Sequence, residues 1–248
     1  MKNKSKGLIL IGLLLIASAL FLTAYNLRED MQAKESAMKT VARLEELLLE
    51  TKAAEEPTLP RFTGTEVAEE STLPRSTQTE ATEKPTEKPA KNPTMPDQTV
   101  PTEEIEIPDY ILNPDMEMPV EHIDGQDYIG VLAIPGLELK LPVISEWSYP
   151  RLKIAPCRYA GSAYTGDLII SAHNYSSHFG KLNHLRVGDT MTFTDIDGNV
   201  FHYKVMEIYT LKPTAIEEME SGDWDLTLFT CTVGGQSRVT VRCDSVKE

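Results

Sequence analysis

The chain has few of the features that would make its fold or chemistry easy to assign. Its 248 residues include only three cysteines, Cys157, Cys231 and Cys243. Three thiols are too few for a disulfide framework, so a packed core has to hold the fold. Basic residues are scarce beyond the first six positions. Residues 26–120 hold 21 acids against 10 bases, and residues 121–248 hold 17 against 11. With no basic stripe, nucleic acid is excluded as a partner. Glycine is nearly missing between 51 and 119, where one glycine accompanies 11 of the 16 prolines. Such a stretch buries too little apolar surface to offset its ordering entropy. Apart from one run at the N-terminus, no segment is apolar enough to span a bilayer.

That run is Leu8 to Ala24, 17 residues without a charge, which Gly7 and Tyr25 extend to 19. It approaches the ~20 residues a helix needs to cross a membrane and exceeds the ~7–15 of a cleaved signal core. Ala17-Ser18-Ala19 has the small-residue character of a cleavage site, so cleavage stays open. Lys2, Lys4 and Lys6 precede the run, which predicts a cytoplasmic N-terminus and an extracellular remainder. The expected organisation is a basic tail at 1–7, a transmembrane signal-anchor at 8–25 and a helical stalk at 26–56. A disordered Pro/Thr/Glu-rich spacer at 57–119 and a globular head at 120–248 follow. In the stalk Met31, Ala33, Met38, Val41, Leu44, Leu47 and Leu48 recur at helical intervals among charges, predicting a solvated helix. The spacer contains a duplication: residues 55–66 match residues 69–80 at nine of twelve positions. Proline with a single glycine makes it an extended arm, expected to hold the head away from the membrane.

The head reads as strand after strand. Expected strands are 128–135, 137–144, 154–159, 167–173, 190–194, 200–211, 224–231 and 237–243. Short helical patterns are expected at 148–153, 178–185 and 214–219. Eight short strands with Gly, Pro and Asp turns predict a mostly β fold, a closed barrel or a sandwich. Closure removes sticky edges and favours the barrel.

Three residue types in the head carry acyl-transfer chemistry. Cys231 ends the run Thr227-Leu228-Phe229-Thr230-Cys231, Arg238 opens the next strand, and His173 ends Leu168-Ile169-Ile170-Ser171-Ala172. Cysteine supplies a nucleophile, histidine moves protons, and arginine, always charged, stabilises a developing oxyanion. Each has a bland reading: a lone strand cysteine is most often buried filler, and a strand-end histidine or arginine is most often structural. Together, at strand ends of one β domain, they point to a site. Arg242 shares a strand face with Arg238 and is read as structural.

Thr227-Leu228-Phe229-Thr230-Cys231 resembles the T-L-x-T-C motif of sortases, the Gram-positive cysteine transpeptidases. The order His173, Cys231, Arg238 and the strand-like Tyr128–Pro135 and Leu137–Val143 resemble that family too. The resemblance covers residues 121–244 and implies a closed eight-stranded β-barrel with a few short helices. It implies a membrane-anchored enzyme that cuts an L-P-x-T-G-like sorting signal at Thr-Gly through a thioester on Cys231. His173 would serve as general acid and base, with Arg238 stabilising charge. The implied partners are secreted proteins bearing a C-terminal sorting signal and an amine of peptidoglycan precursor or pilin, with no cofactor and no metal. Thr230 and Asn174 are candidates for shaping the substrate or oxyanion region. A pilin-polymerising sortase, a hydrolytic cysteine peptidase and an inactive surface-binding barrel are the rivals. An Asp-Pro-aromatic lid is absent, with Asn113-Pro114-Asp115 a distant echo.

Overall fold

The computed structural model describes residues 2–55 and 107–246. The spacer's duplicated segment lies outside the described residues. The N-terminal run and the stalk form one unbroken helix, α1 (Lys2–Glu55). Its N-terminal part is long and apolar enough to cross a membrane, and none of that part is buried against protein.

The head contains β1 (Glu121–Ile123), β2 (Gln126–Ile134), β3 (Leu139–Ile144), β4 (Cys157–Ala160) and β5 (Leu168–Ser171). It continues with β6 (Thr190–Asp195), β7 (Val200–Leu211), β8 (Leu226–Cys231) and β9 (Arg238–Ser245). Short helices α2 (Asp109–Leu112), α3 (Tyr149–Leu152) and α4 (Ile216–Glu220) accompany them. The nine strands run in the order β1-β2-β3-β4-β5-β8-β9-β7-β6, and β6 pairs back onto β2. With β1 outside the ring as a hairpin on β2, the other eight close a barrel. All eight expected strands are present. Where 178–185 was expected to be helical, only a 3-10 turn forms at Leu182–His184.

Closure depends on one glycine. Gly130 stands opposite Asp195 at the β2–β6 seam, with φ +151°. A Cβ built there would lie 2.1 Å from the Thr194 carbonyl oxygen, so any side chain would force the seam apart.

The main core fills the barrel with Ile129, Leu132, Val143, Leu168, Ile170, Phe193, Leu228 and Val241, among others. A second cluster lies outside β2 and β3, where Tyr128, Val131, Ile144 and Cys157 meet Val41 and Leu44 of α1. Ala33, Ala37, Thr40, Val41 and Leu44 of α1 are buried, while Met31 and Met38 stay exposed. The spacing 33, 37, 40, 41, 44 is one stripe of a 3.6-residue helix, and its two alanines permit close approach. The helix expected to be a solvated stalk is therefore docked on the barrel. Of the spacer expected at 57–119, residues 57–106 lie outside the described residues.

Candidate active site

Strand register brings the three acyl-transfer residues together. β5 and β8 run parallel with Leu168 beside Leu226 and Ser171 beside Phe229, a constant offset of 58 residues. Two bonds carry that alignment past the end of β5. The Ala172 amide donates to the Phe229 carbonyl at 3.2 Å, and Thr230 Oγ1 donates to the Ala172 carbonyl at 2.9 Å. Extended one residue further, the same offset would set His173 beside Cys231. β8 and β9 are antiparallel with Cys231 directly opposite Arg238. Paired strands lie about 4.8 Å apart, so His173, Cys231 and Arg238 form a row on adjacent strands at one rim.

Each member of the row is held by local structure. The seven-residue step from Cys231 to Arg238 is a tight β8–β9 turn closed by Thr232. Its amide donates to the Ser237 carbonyl at 2.8 Å, and its hydroxyl accepts from the Ser237 amide at 3.1 Å. Cys231 is the exposed cysteine; Cys157 and Cys243 are buried, and burial pushes both thiols up to about 12. All three are free. A bridge between Cys157 on β4 and Cys243 on β9 would have to cross β5 and β8. That is three strand spacings, about 14 Å, well beyond disulfide reach.

Arg238 is half-buried and makes no hydrogen bond or ion pair among the described residues. Its guanidinium lies 5.7 Å from the centre of the Phe229 ring. Arg242 occupies the same face but is spent. Nη1 donates to Thr227 Oγ1 at 2.5 Å, Nε to the Tyr209 hydroxyl at 2.7 Å and Nη2 to the Glu218 carbonyl at 2.7 Å. It pins α4 over the outer surface of β7, β8 and β9, which matches its structural reading. Alternation thus puts two arginines on one face, and coverage by α4 leaves only Arg238 with donors to offer.

His173 is half-buried at the start of a loop that folds back on itself. The Phe179 amide donates to the His173 carbonyl, and the His178 and Gly180 amides donate to the Tyr175 carbonyl. Gly180 permits this: a Cβ there would lie 2.6 Å from the Asn174 carbonyl oxygen and 2.7 Å from that of Tyr175. Asn174 offers His173 Nδ1 a partner in either protonation state. Its amide N–H is 3.2 Å from Nδ1, suited to an unprotonated nitrogen, and its Oδ1 is 3.1 Å away, suited to an N–H. Nε2 is then the nitrogen left for proton exchange. Asn174 thus turns both its backbone amide and its Oδ1 toward the histidine. Thr230 is buried, its hydroxyl committed to the Ala172 carbonyl, so it ties the ends of β5 and β8 and faces away from Cys231.

Tyr175 escaped the sequence reading. Its ring lies flat on the His173 ring, centroids 4.3 Å apart and planes 2° apart. Behind it His178 is fully buried, neither ring nitrogen has a partner among the described residues, and burial lowers its pKa to about 4. The echo of a lid at residues 113–115 is not over Cys231. Nearby Tyr110 stacks on Tyr164 at 4.7 Å beside Phe201, at the opposite rim.

The barrel rim thus carries an exposed thiol, a histidine aligned with it on one side and an arginine opposite it on the other. Residues 132–246, a little under half of the chain, match the sortase domain family. Members of this family are cysteine transpeptidases. Solved structures that resemble the chain include sortase C of Streptococcus pneumoniae, 25% identical over 49% of this chain and 70% of that one, with a TM-score of 0.45. Sortase C1 of Streptococcus agalactiae is 26% identical over 59% and 80%, with a TM-score of 0.47. Sortase C of Clostridium perfringens, solved with the C-terminal cell wall sorting motif, is 26% identical over 50% and 72%, with a TM-score of 0.44. A comparison with curated protein sequences gives no match.

Proposed function

We propose that this protein is a membrane-anchored cysteine transpeptidase acting on an L-P-x-T-G-like sorting signal. The observation that carries the reading is the row His173–Cys231–Arg238, set by the β5–β8 and β8–β9 registers. In the first half-reaction Cys231 Sγ attacks the threonine carbonyl carbon. Arg238 donates to the oxyanion, and the imidazolium proton of His173 passes to the glycine nitrogen as the C–N bond breaks. The thioester remains on Cys231. In the second half an amine of wall precursor or of another surface protein attacks that carbonyl. His173 takes the amine proton, the C–S bond breaks and the thiolate is restored. Asn174 keeps Nδ1 occupied throughout, so the proton moves through Nε2. The unburied apolar stretch of α1, preceded by three lysines, supports a single span with the barrel outside.

The test is mass spectrometry of the protein incubated with L-P-x-T-G and N-P-x-T-x peptides, with and without an amine acceptor. A thioester adduct on Cys231 is expected, absent in Cys231→Ala, with a transfer product that grows with amine concentration. Cleavage insensitive to any amine would replace transfer by hydrolysis. Normal turnover by folded Cys231→Ala protein would remove the mechanism.

A further inference from the structure

The contacts between α1 and the histidine loop are more specific than docking requires. Over most of its docked length α1 meets the barrel through apolar burial and exposed ion pairs, Lys39 with Asp124 and Glu45 with Lys140. Such pairs contribute little. At the turn containing Glu29 and Asp30 the pattern changes. Tyr175 donates its phenol proton to Glu29 Oε2 at 3.1 Å. The other carboxylate oxygen of Glu29 accepts from Tyr25 at 2.8 Å and lies 3.4 Å from Lys153 Nζ. Asp30 Oδ1 accepts from the Ser177 amide at 3.1 Å and the Ser177 hydroxyl at 2.5 Å, and its Oδ2 accepts from Ser176. Burial alone would raise the Asp30 carboxyl; the serine hydrogen bonds outweigh it and hold the group below its usual range. Two consecutive acids thus fix three consecutive loop residues, and the first of these, Tyr175, is the plate on which His173 lies.

We infer that the helix leaving the membrane is part of the catalytic machinery: Glu29 and Asp30 are positioning residues that act on His173 through Tyr175. The physics has two parts. A ring stacked flat at 4.3 Å leaves the imidazole few rotations, which preserves the approach of Nε2 to the thiol. The ring face also favours the imidazolium over the neutral form, and a phenol donating to a carboxylate is more electron-rich than a free one. The charged and titratable groups around this plate are Glu29, Asp30, Tyr25, Lys153 and His178. Cutting α1 from the barrel would therefore release the histidine as well as the anchor.

This inference rests on the proposed role of His173, and one experiment separates the two. The full chain in detergent micelles is treated with iodoacetamide, and alkylation of Cys231 is followed by mass spectrometry; the two buried cysteines do not compete. His173→Ala, Tyr175→Leu, Tyr175→Phe, Glu29→Ala and the double variant Glu29→Ala/Tyr175→Phe are compared with the parent. Tyr175→Leu is expected to slow alkylation, and kcat with a sorting peptide, about 3- to 10-fold with KM unchanged. Its His173 ring protons should also lose the ring-current shift of a stacked neighbour. Glu29→Ala and Tyr175→Phe should each cost about 2- to 3-fold, and the double variant no more than the worse single, since both cut one hydrogen bond. Tyr175→Phe keeps the ring and the fold, so it stands if Tyr175→Leu unfolds. Multiplying effects in the double variant would overturn the inference, as would parental rates in Tyr175→Leu while His173→Ala is slow. A parental rate in His173→Ala would sink the catalytic role itself, and the inference with it.

Discussion

Acidification from pH 7 to 5 is expected to destabilise this protein by about 2 kcal/mol through one side chain, His178. The imidazole is fully buried, with no partner for either nitrogen among the described residues, so folding strips its water and returns no hydrogen bond from them. Burial lowers its pKa from 6.5 to about 4; the Asp30 carboxylate opposes the shift, and His173 adds to it slightly. The sign follows from proton counting. Below 6.5 the unfolded chain binds a proton that the folded chain refuses, so stability falls as pH drops. The loss ends near pH 4, where the folded form also protonates. The interval is about 2.5 pKa units, or about 3 kcal/mol in full, of which about 2 kcal/mol is lost by pH 5. Asp30, held below its usual range, loses its contribution only at lower pH and does not overlap this window. The assay is urea unfolding of the full chain in micelles, followed by fluorescence at pH 7, 6 and 5, for the parent and for His178→Leu. Leucine is of similar volume and does not titrate. The parent should lose about 2 kcal/mol more than the variant across this range. Parallel profiles would show that His178 accepts a proton within the fold, and the burial argument would be wrong.

Other outcomes follow from the site. Arg238→Ala should lower kcat by about 100- to 1,000-fold with an unchanged melting temperature. Arg242→Leu should do the reverse, costing about 3 kcal/mol of stability because Thr227, Tyr209 and the Glu218 carbonyl lose their donor; equal stability losses in the two would undo the distinction. Asn174→Ala keeps the amide N–H but removes Oδ1, the acceptor for the imidazolium, so kcat should fall about 10-fold with KM retained. Gly130→Ala should be severely destabilising, seen as loss of soluble folded protein, because its Cβ would meet the Thr194 carbonyl at 2.1 Å. A parental melting temperature there would mean that the β2–β6 seam is not closed as described.

The barrel strands were legible because alternation and turn residues mark them individually. The three-residue β1 escaped because Glu121–Ile123 is too short to show a period. At 178–185 the helical pattern gave way to loop geometry, since the chain returns its amides to the His173 and Tyr175 carbonyls. The order of histidine, cysteine and arginine was legible, but the roles of their neighbours were not. Thr230 turned to the Ala172 carbonyl, and Asn174 turned to the histidine. The docking of α1 left a trace that went unread. Tyr128 to Ile134 is apolar at nearly every position, whereas a barrel strand open to water on its outer face alternates. That doubled apolarity required something to cover β2 from outside. Glu29 and Tyr175 are 146 residues apart, and no local pattern could have joined them.

With the span proposed above, the continuity of α1 fixes the height of the candidate site over the membrane. Glu29, which holds the histidine loop, lies five helical positions beyond Ala24, a rise of about 7.5 Å. With the span where we propose it, the reactive thiol belongs to the layer of lipid headgroups. A substrate still tethered by its own membrane segment would come to it by lateral diffusion, in two dimensions, at a fixed altitude. The reaction would then depend on surface density in the membrane more than on concentration in the surrounding fluid.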